Sequence, residues 1–375
     1  MKVRVTDYIA DFFVEHGVKQ VFSVVGGGSM HLNDSFGHHP QIHCTYNHHE
    51  QASAIAAEAY ARVHNEMAIT CVTSGPGAIN ALTGVVGAYQ DSIPMIVLSG
   101  QAKTNLCIRT SGLPIRTIGG QEVDIVPAVQ QNMVKYAEMI MDAKKIRYYL
   151  EKAYHIAISG RPGPCWLDIP LNVQSAFIET DELIGYDSQE FDSTLPPPVL
   201  EETIAAILAR IKNAERPVLY AGNGIRLSGG FDTFKKVVGK LNIPVVTCFD
   251  SIDAIENENP LYVGRGGIMG DRAGNFAVQN SDVILSIGNR LSIRQVGFNY
   301  KTWAREAFVI ANDIDAEELK KPTLHVEMPV WADAKDLLEK LDAALPEGKF
   351  FGKESWLECC RNWRGKYPVV QEKHF

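Results

Sequence analysis

Two segments about twenty residues apart carry the side chains best suited to chemistry: Asn47-His48-His49-Glu50-Gln51, and Thr73-Ser74-Gly75-Pro76-Gly77-Ala78-Ile79-Asn80. Glu50 offers a carboxylate at a helix start, where the helix dipole favours an anion. The helix itself reads as buried, which pushes the other way: where burial wins, desolvation raises a carboxyl pKa by up to about 3 to 5 units and keeps a proton available for exchange. The second segment offers a small-residue turn that lets main chain approach a flat ligand closely. Taken singly, Glu50 reads as a helix-cap glutamate without chemistry, and the turn as one of the many glycine turns that follow strands. Together they read as half of a ligand pocket.

The elements that must position them are legible. Ala52 to Arg62 is a run of good helix formers with small side chains. Met67-Ala68-Ile69-Thr70-Cys71-Val72 has the length and punctuation of a buried parallel strand, and it runs straight into Ser74-Gly75-Pro76-Gly77. Ligands of doubly wound sheets bind beyond the carboxyl ends of strands, where this turn falls. Strand and helix patterns alternate twice along the chain, which predicts an α/β protein of two doubly wound parallel-sheet domains. The first covers residues 1–178. A polar stretch, 179–198, ends in Pro196-Pro197-Pro198 and reads as a stiff linker. The second, Rossmann-like and expected to hold six parallel strands, covers 199–345, and 346–375 reads as a tail. The second domain starts with a helix pattern, then a strand and the turn Gly222-Asn223-Gly224, which resembles phosphate-binding turns without being a full dinucleotide fingerprint.

Composition narrows the function classes. The 375 residues are 46% hydrophobic with a net charge of -8, which argues against nucleic acid or an anionic membrane as partner. No run approaches the roughly 18 apolar residues of a membrane span, and the N-terminus lacks a signal-peptide layout, so a cytoplasmic protein is expected. Seven cysteines show neither paired nor metal-ligand spacing. His43, His48 and His49 lack a companion ligand set, so no metal is expected there.

An ordered series of motifs is more specific than either segment alone. Val21-Phe22-Ser23-Val24-Val25-Gly26-Gly27-Gly28 precedes His49-Glu50-Gln51, Tyr60-Ala61-Arg62 and Thr73 to Asn80. Asp91-Ser92-Ile93-Pro94, Ser99-Gly100-Gln101, Gly160-Arg161-Pro162-Gly163-Pro164 and Asp168-Ile169-Pro170 follow. Over nearly all of residues 1–345 the sequence resembles the thiamine diphosphate enzymes of the acetolactate synthase (acetohydroxyacid synthase) and pyruvate oxidase type. The resemblance implies a pyrimidine-binding domain followed by a central domain, thiamine diphosphate with Mg²⁺, a 2-oxo acid substrate, and a homodimer or tetramer. It makes Glu50 the glutamate that hydrogen-bonds the pyrimidine N1′ and supports ylid formation at the thiazolium C2. Pro76 and Asn80 then line the pyrimidine, with Val25, Gly26, Gly27 and Thr73 as further cofactor contacts, and Gln121 faces the reacting carbons.

Departures from the pattern matter as much. The Gly-Asp-Gly motif that holds Mg²⁺ and diphosphate in a third domain is absent: Gly270-Asp271-Arg272 lacks the second glycine. A truncated chain or a separate polypeptide carrying that domain is the expectation, with this chain inactive alone. After Gly288-Asn289-Arg290-Leu291 the sequence gives Ser292-Ile293-Arg294-Gln295, where FAD-binding relatives carry a phenylalanine and two aspartates, so the balance falls against FAD. Gly120 stands where the family usually has phenylalanine, and Leu171 where acetolactate synthases often have lysine. Arg109 and Arg116, in a lengthened segment, are candidates for an anionic substrate or else surface decoration. The readings in play are a thiamine-dependent carboligase or decarboxylase, a noncatalytic or regulatory subunit of the same fold, and an unrelated tandem nucleotide-binding protein. Retention of Glu50 favours the first, because a structural copy has no use for a carboxylate in a dry pocket.

Overall fold

The computed structural model describes residues 1–192 and 194–375; Ser193, within the stretch read as a linker, lies outside the described residues. The chain forms two units, Met1–Thr194 and Leu195–Phe375. The first runs β1 (Lys2–Arg4), α1 (Val5–Glu15), β2 (Gln20–Ser23), α2 (Met30–His38), β3 (His43–Tyr46), α3 (Glu50–His64) and β4 (Ala68–Val72). It continues through α4 (Pro76–Asp91), β5 (Met95–Gln101), β6 (Tyr136–Met139), α5 (Ile146–Ile158), β7 (Cys165–Pro170) and β8 (Phe177–Glu179). Six of these strands form one parallel sheet in the order β3-β2-β4-β5-β7-β6, and β1 pairs antiparallel with β8. Helices on both faces leave no solvated side, which is why β4, β5 and β7 are mainly apolar and are buried at every residue, their few polar side chains included.

The second unit is built alike. It contains α6 (Glu201–Asn213), β9 (Pro217–Ala221), α7 (Phe231–Leu241), β10 (Val245–Thr247), β11 (Tyr262–Arg265), α8 (Arg272–Asn280), β12 (Val283–Ile287), β13 (Phe308–Asp313), β14 (Met328–Trp331), α9 (Ala334–Ala344) and α10 (Glu354–Lys366). Its strands form a six-stranded parallel sheet, β11-β10-β9-β12-β13-β14. The expected architecture of two doubly wound parallel sheets is therefore present.

Two segments differ from their sequence reading. The stretch from Glu179 to Phe191 does not stand free: Leu183 and Phe191 pack on the first core, and Glu151 accepts the Tyr186 N–H at 2.7 Å. Apolar side chains spaced through a polar stretch are enough to lay it down. The last thirty residues are not all tail either. Helix α10 buries Trp356, Leu357 and Cys360 in the second core, and the Trp356 indole donates to the Pro217 carbonyl at 3.0 Å.

In the first sheet the chain passes from β2 outward to β3 and then crosses back over β2 to β4. The connections leaving β2 and β4 thus diverge, which opens a crevice beyond their carboxyl ends. Helices α3 and α4 border it, and small residues let them approach closely. Ser53, Ala54, Ala57 and Ala61 on α3, with Ala78, Ala81, Gly84, Val85 and Ala88 on α4, are buried. A β-carbon at Gly84 would lie 2.6 Å from the Ile55 nitrogen, so this crossing admits no side chain at all. At the far end Arg62 donates to Glu58 at 2.9 Å and to Asp91 at 2.8 Å, tying the last turn of α3 to that of α4. Gly84→Ala should therefore destabilise the protein by about 1 to 3 kcal/mol through overpacking against backbone. Gly87→Ala, on the same helix but in open space, should be neutral or stabilising by up to about 1 kcal/mol. Denaturant midpoints of the two variants separate these effects; equal shifts would show that the crossing is not tight.

Candidate functional site

Glu50 is the first residue of α3, capped by His49, whose Nδ1 accepts the Gln51 N–H at 3.1 Å. Asn80 lies one turn into α4, and its Nδ2 donates to Glu50 Oε2 at 3.0 Å. The close α3–α4 crossing is what brings these side chains within one hydrogen bond. No hydrogen bond to Glu50 Oε1 is made among the described residues. The carboxylate is half-buried rather than enclosed in the dry pocket expected from the sequence. It sits at a helix start just beyond the carboxyl end of β3 and stays partly open to solvent.

Thr73 locks the two turns of the crevice together. Its hydroxyl accepts the Gly28 N–H at 3.0 Å. A β-carbon at Gly26 would fall 2.4 Å from the Thr73 β-carbon, and one at Gly77 would fall 2.7 Å from Thr73 Cγ2 and 3.2 Å from Glu50 Oε1. The turns after β2 and β4 thus make a cradle that any side chain at Gly26 or Gly77 would fill. Gln174 supports it from below, donating to the carbonyls of Gly28 at 2.7 Å and Ile169 at 2.6 Å. Pro76 opens α4 and is exposed, as are Gly27 and Val25, the latter 65% exposed. Thus Glu50, Gly26, Thr73, Gly77 and Asn80 are brought together where β2 and β4 end, while Val25, Gly27 and Pro76 are exposed on the same two turns.

Gln121 reaches the same place by another route. Gly75 has φ +62°, and a β-carbon there would lie 1.9 Å from the Gln121 carbonyl oxygen. The loop carrying Gln121 therefore rests directly on the turn that starts α4, with its side chain exposed. Three consecutive residues after it are pinned. Glu122 accepts hydrogen bonds from Thr117, Ile118 and Gly119. The Val123 carbonyl accepts from Gln101 at 2.9 Å, and Asp124 accepts a bidentate pair from Arg109 at 2.8 Å each. Burial alone pushes the Glu122 carboxyl up, but the Thr117 hydroxyl and the Ile118 and Gly119 N–H groups outweigh it and hold the pKa at about 2.

Beneath this loop lies a polar network that sequence reasoning did not single out. Asp168, on β7, is 1% exposed and accepts from Ser99 at 2.6 Å and Gln101 at 2.9 Å, while the Trp166 indole donates to Ser99 at 2.8 Å. Ser99 and Asp168 are register partners across β5 and β7. The two sequence motifs Ser99-Gly100-Gln101 and Asp168-Ile169-Pro170 are thus two halves of one contact. That pairing was the available signal. Burial pushes the Asp168 carboxyl up to about 7 against the lowering effect of its two donors.

Other sequence candidates fall elsewhere. Arg109 is engaged by Asp124 and lies 3.9 Å from Glu138, so it is matched by its own chain's carboxylates instead of standing ready for a substrate. Arg116 is exposed. Among the described residues no group of three or more His, Cys, Asp or Glu side chains is placed to hold a metal ion. In the second unit the turn after β9 spends its N–H groups internally: Gly222 donates to the Ile287 carbonyl at 3.0 Å and Gly224 to Gly288 at 2.9 Å. Its glycines let two turns touch, and both of their N–H groups are spent on main chain within the fold.

Two family models match the chain: the thiamine pyrophosphate enzyme N-terminal TPP binding domain over residues 3–114, and the thiamine pyrophosphate enzyme central domain over 204–341. The chain belongs to the thiamine pyrophosphate enzymes. It is 34% identical over 350 residues to a probable acetolactate synthase large subunit of Methanocaldococcus jannaschii, covering 91% of this chain and 56% of that protein. It is 30% identical over 369 residues to the acetolactate synthase isozyme 3 large subunit of Escherichia coli, covering 96% and 62%. The Lactococcus lactis acetolactate synthase large subunit is 32% identical over 327 residues, covering 87% and 55%. The chain thus spans little more than half the length of these relatives. The crevice between the turns after β2 and β4 lies within the segment that matches the N-terminal TPP binding domain.

The Asp168 network has a consequence for stability. Its folded pKa lies above the value of an unfolded aspartate, about 3.9. The folded state therefore binds more protons than the unfolded chain between about pH 4 and pH 7, and stability falls as pH rises through that window. Asp168→Asn should remove this component. The unfolding midpoint of the variant should be flatter with pH than that of the wild type across the window; parallel curves would show that Asp168 ionises normally.

Proposed function

We propose that this chain is the pyrimidine-binding and central-domain part of a thiamine diphosphate-dependent carboligase or decarboxylase acting on a 2-oxo acid, of the acetolactate synthase type. The observation that carries the reading is the Asn80–Glu50 hydrogen bond, which fixes a carboxylate beside the glycine-lined cradle at the switch point of the sheet. The sequence similarity to acetolactate synthase large subunits supports it.

When bound, thiamine diphosphate supplies a nucleophilic carbon that adds to the keto carbon of a 2-oxo acid. The chain's residues do the rest. Glu50 is held by Asn80 through Oε2 and presents Oε1, the oxygen able to share a proton with the pyrimidine N1′. Proton transfer of this kind contributes about 10² to 10⁴ in rate. Thr73, Gly26 and Gly27 shape the cradle, Pro76 and Val25 border it, and Gln121 faces the substrate side. Mg²⁺ and the diphosphate are then held by protein outside these 375 residues. Exposed Ile55 and Ile79, on the two helices that frame the crevice, suit association with such a partner surface or with a second copy in a homodimer.

In the assembled enzyme, Glu50→Gln should cost about 10² to 10⁴ in turnover, the share of proton transfer, with the unfolding midpoint unchanged. The rate of C2-proton exchange of the bound cofactor reads this directly, and an unchanged rate would rule out the role. The 375-residue chain alone should bind thiamine diphosphate weakly, because charged diphosphate oxygens need charged or metal partners for most of their affinity. Calorimetry giving submicromolar affinity for the chain by itself would defeat that expectation.

A further inference from the structure

Gln121 is exposed on a loop, yet the loop is not free. From Thr117 to Gly120 it folds around a single side chain. Glu122, 4% exposed, takes the Thr117 hydroxyl at 2.5 Å and the Gly119 N–H at 2.9 Å and 3.0 Å through its two oxygens, together with the Ile118 N–H. The Thr117 hydroxyl oxygen in turn accepts the Gly120 N–H at 2.8 Å, and Gly120 carries φ +102°. Every polar group of the turn from 117 to 120 that bonds within the loop thus points, directly or through Thr117, at one carboxylate. On its other side the loop meets the Gly75 turn through the Gln121 carbonyl, at a spacing that leaves no room for a β-carbon.

We propose that Glu122 is a positioning residue that fixes the substrate-side wall of the crevice by holding the 117–121 loop in the one shape that seats Gln121 on the Gly75 turn. The carboxylate spends its hydrogen-bonding capacity on the loop and touches neither Glu50, Asn80 nor Thr73. Its influence is therefore on the reacting partner and not on the pyrimidine side. Misplacement of a substrate-facing group by about 1 Å costs up to about 10²-fold in rate. This inference rests on the 2-oxo acid reading above.

The test uses the assembled enzyme. Glu122→Ala should lose about 10- to 100-fold in kcat/KM for the 2-oxo acid, with thiamine diphosphate affinity unchanged. Hydrogen exchange at the Ile118 and Gly119 amides should lose its protection. Glu122→Gln, which keeps one acceptor oxygen for those amides, should recover most of the loss. Thr117→Val, of nearly the same shape and removing only the hydroxyl that donates to Glu122 and accepts from Gly120, should shift kcat/KM in the same direction by less, and serves if the alanine variant fails to fold. Wild-type kcat/KM in both Glu122→Ala and Thr117→Val would overturn the proposal, as would an equal loss of cofactor affinity, which marks a merely structural role. A wild-type enzyme without 2-oxo acid turnover would sink the functional reading and this inference with it.

Discussion

The site exists because two helices can start almost in contact. A carboxylate at the first residue of α3 and an amide one turn into α4 meet at 3.0 Å, and nothing between them is large enough to hold the helices apart. Gly84 against the Ile55 backbone, with alanines above and below, sets the interaxial spacing. The parallel sheet sets the rest: β2 and β4 end side by side, their turns diverge, and Thr73 staples the turns across the gap. Change the spacing of the helices and the carboxylate loses its orienting donor. Change the strand order and there is no crevice to aim it into. Local helix propensity, the small-residue stripe and the strand topology therefore act as one constraint on a single carboxylate.

Much of this was legible from residues alone, because the signals were local. An alanine-rich run announced α3, an apolar run ending in Gly-Pro-Gly announced β4 and the start of α4, and strand–helix alternation announced the two parallel sheets. What remained hidden depends on contacts between residues far apart in sequence. Arg109 looked available until folding set it against Asp124. The half-open setting of Glu50 could not be read, since burial at a helix start depends on what stands opposite and not on the helix. The 346–375 segment, dense in charge, hid a helix whose Trp356, Leu357 and Cys360 complete the second core. The Gly222-Asn223-Gly224 turn shows the opposite hazard: its glycines were legible, but their purpose, contact with the Gly288 turn, was not.

The Gln121 loop and the sheet beneath it show a division of labour between charge and burial. Glu122 and Asp168 are both buried carboxyls, yet they are held in opposite ways. Glu122 is surrounded by donors, so its charge is favoured and its pKa falls to about 2; Asp168 has two donors and deep burial, so its pKa climbs to about 7. One is a fixed anion around which a loop can fold at any ordinary pH. The other is a titratable group inside the sheet, joined to the same loop through Gln101, whose amide donates both to Asp168 and to the Val123 carbonyl.

That shared donor links the sheet to the loop. Gln101 Nε2 has two hydrogens, one spent on Asp168 and one on Val123, while its oxygen takes the Ala102 N–H at 2.9 Å. Both donors of the amide are therefore spent, and any shift of the Asp168 carboxyl must be met by a shift in the amide plane or by a broken bond. Arg109 holds the next residue, Asp124, from the opposite side. The backbone between Val123 and Asp124 is thus clamped between a buried network and a surface ion pair, and Gln121 projects from just beyond the clamp. A loop with glycines at 119 and 120 would otherwise be among the softest parts of the fold. Its order comes from side chains spending their polar capacity on main chain, which leaves Gln121, the one long polar side chain at its tip, uncommitted.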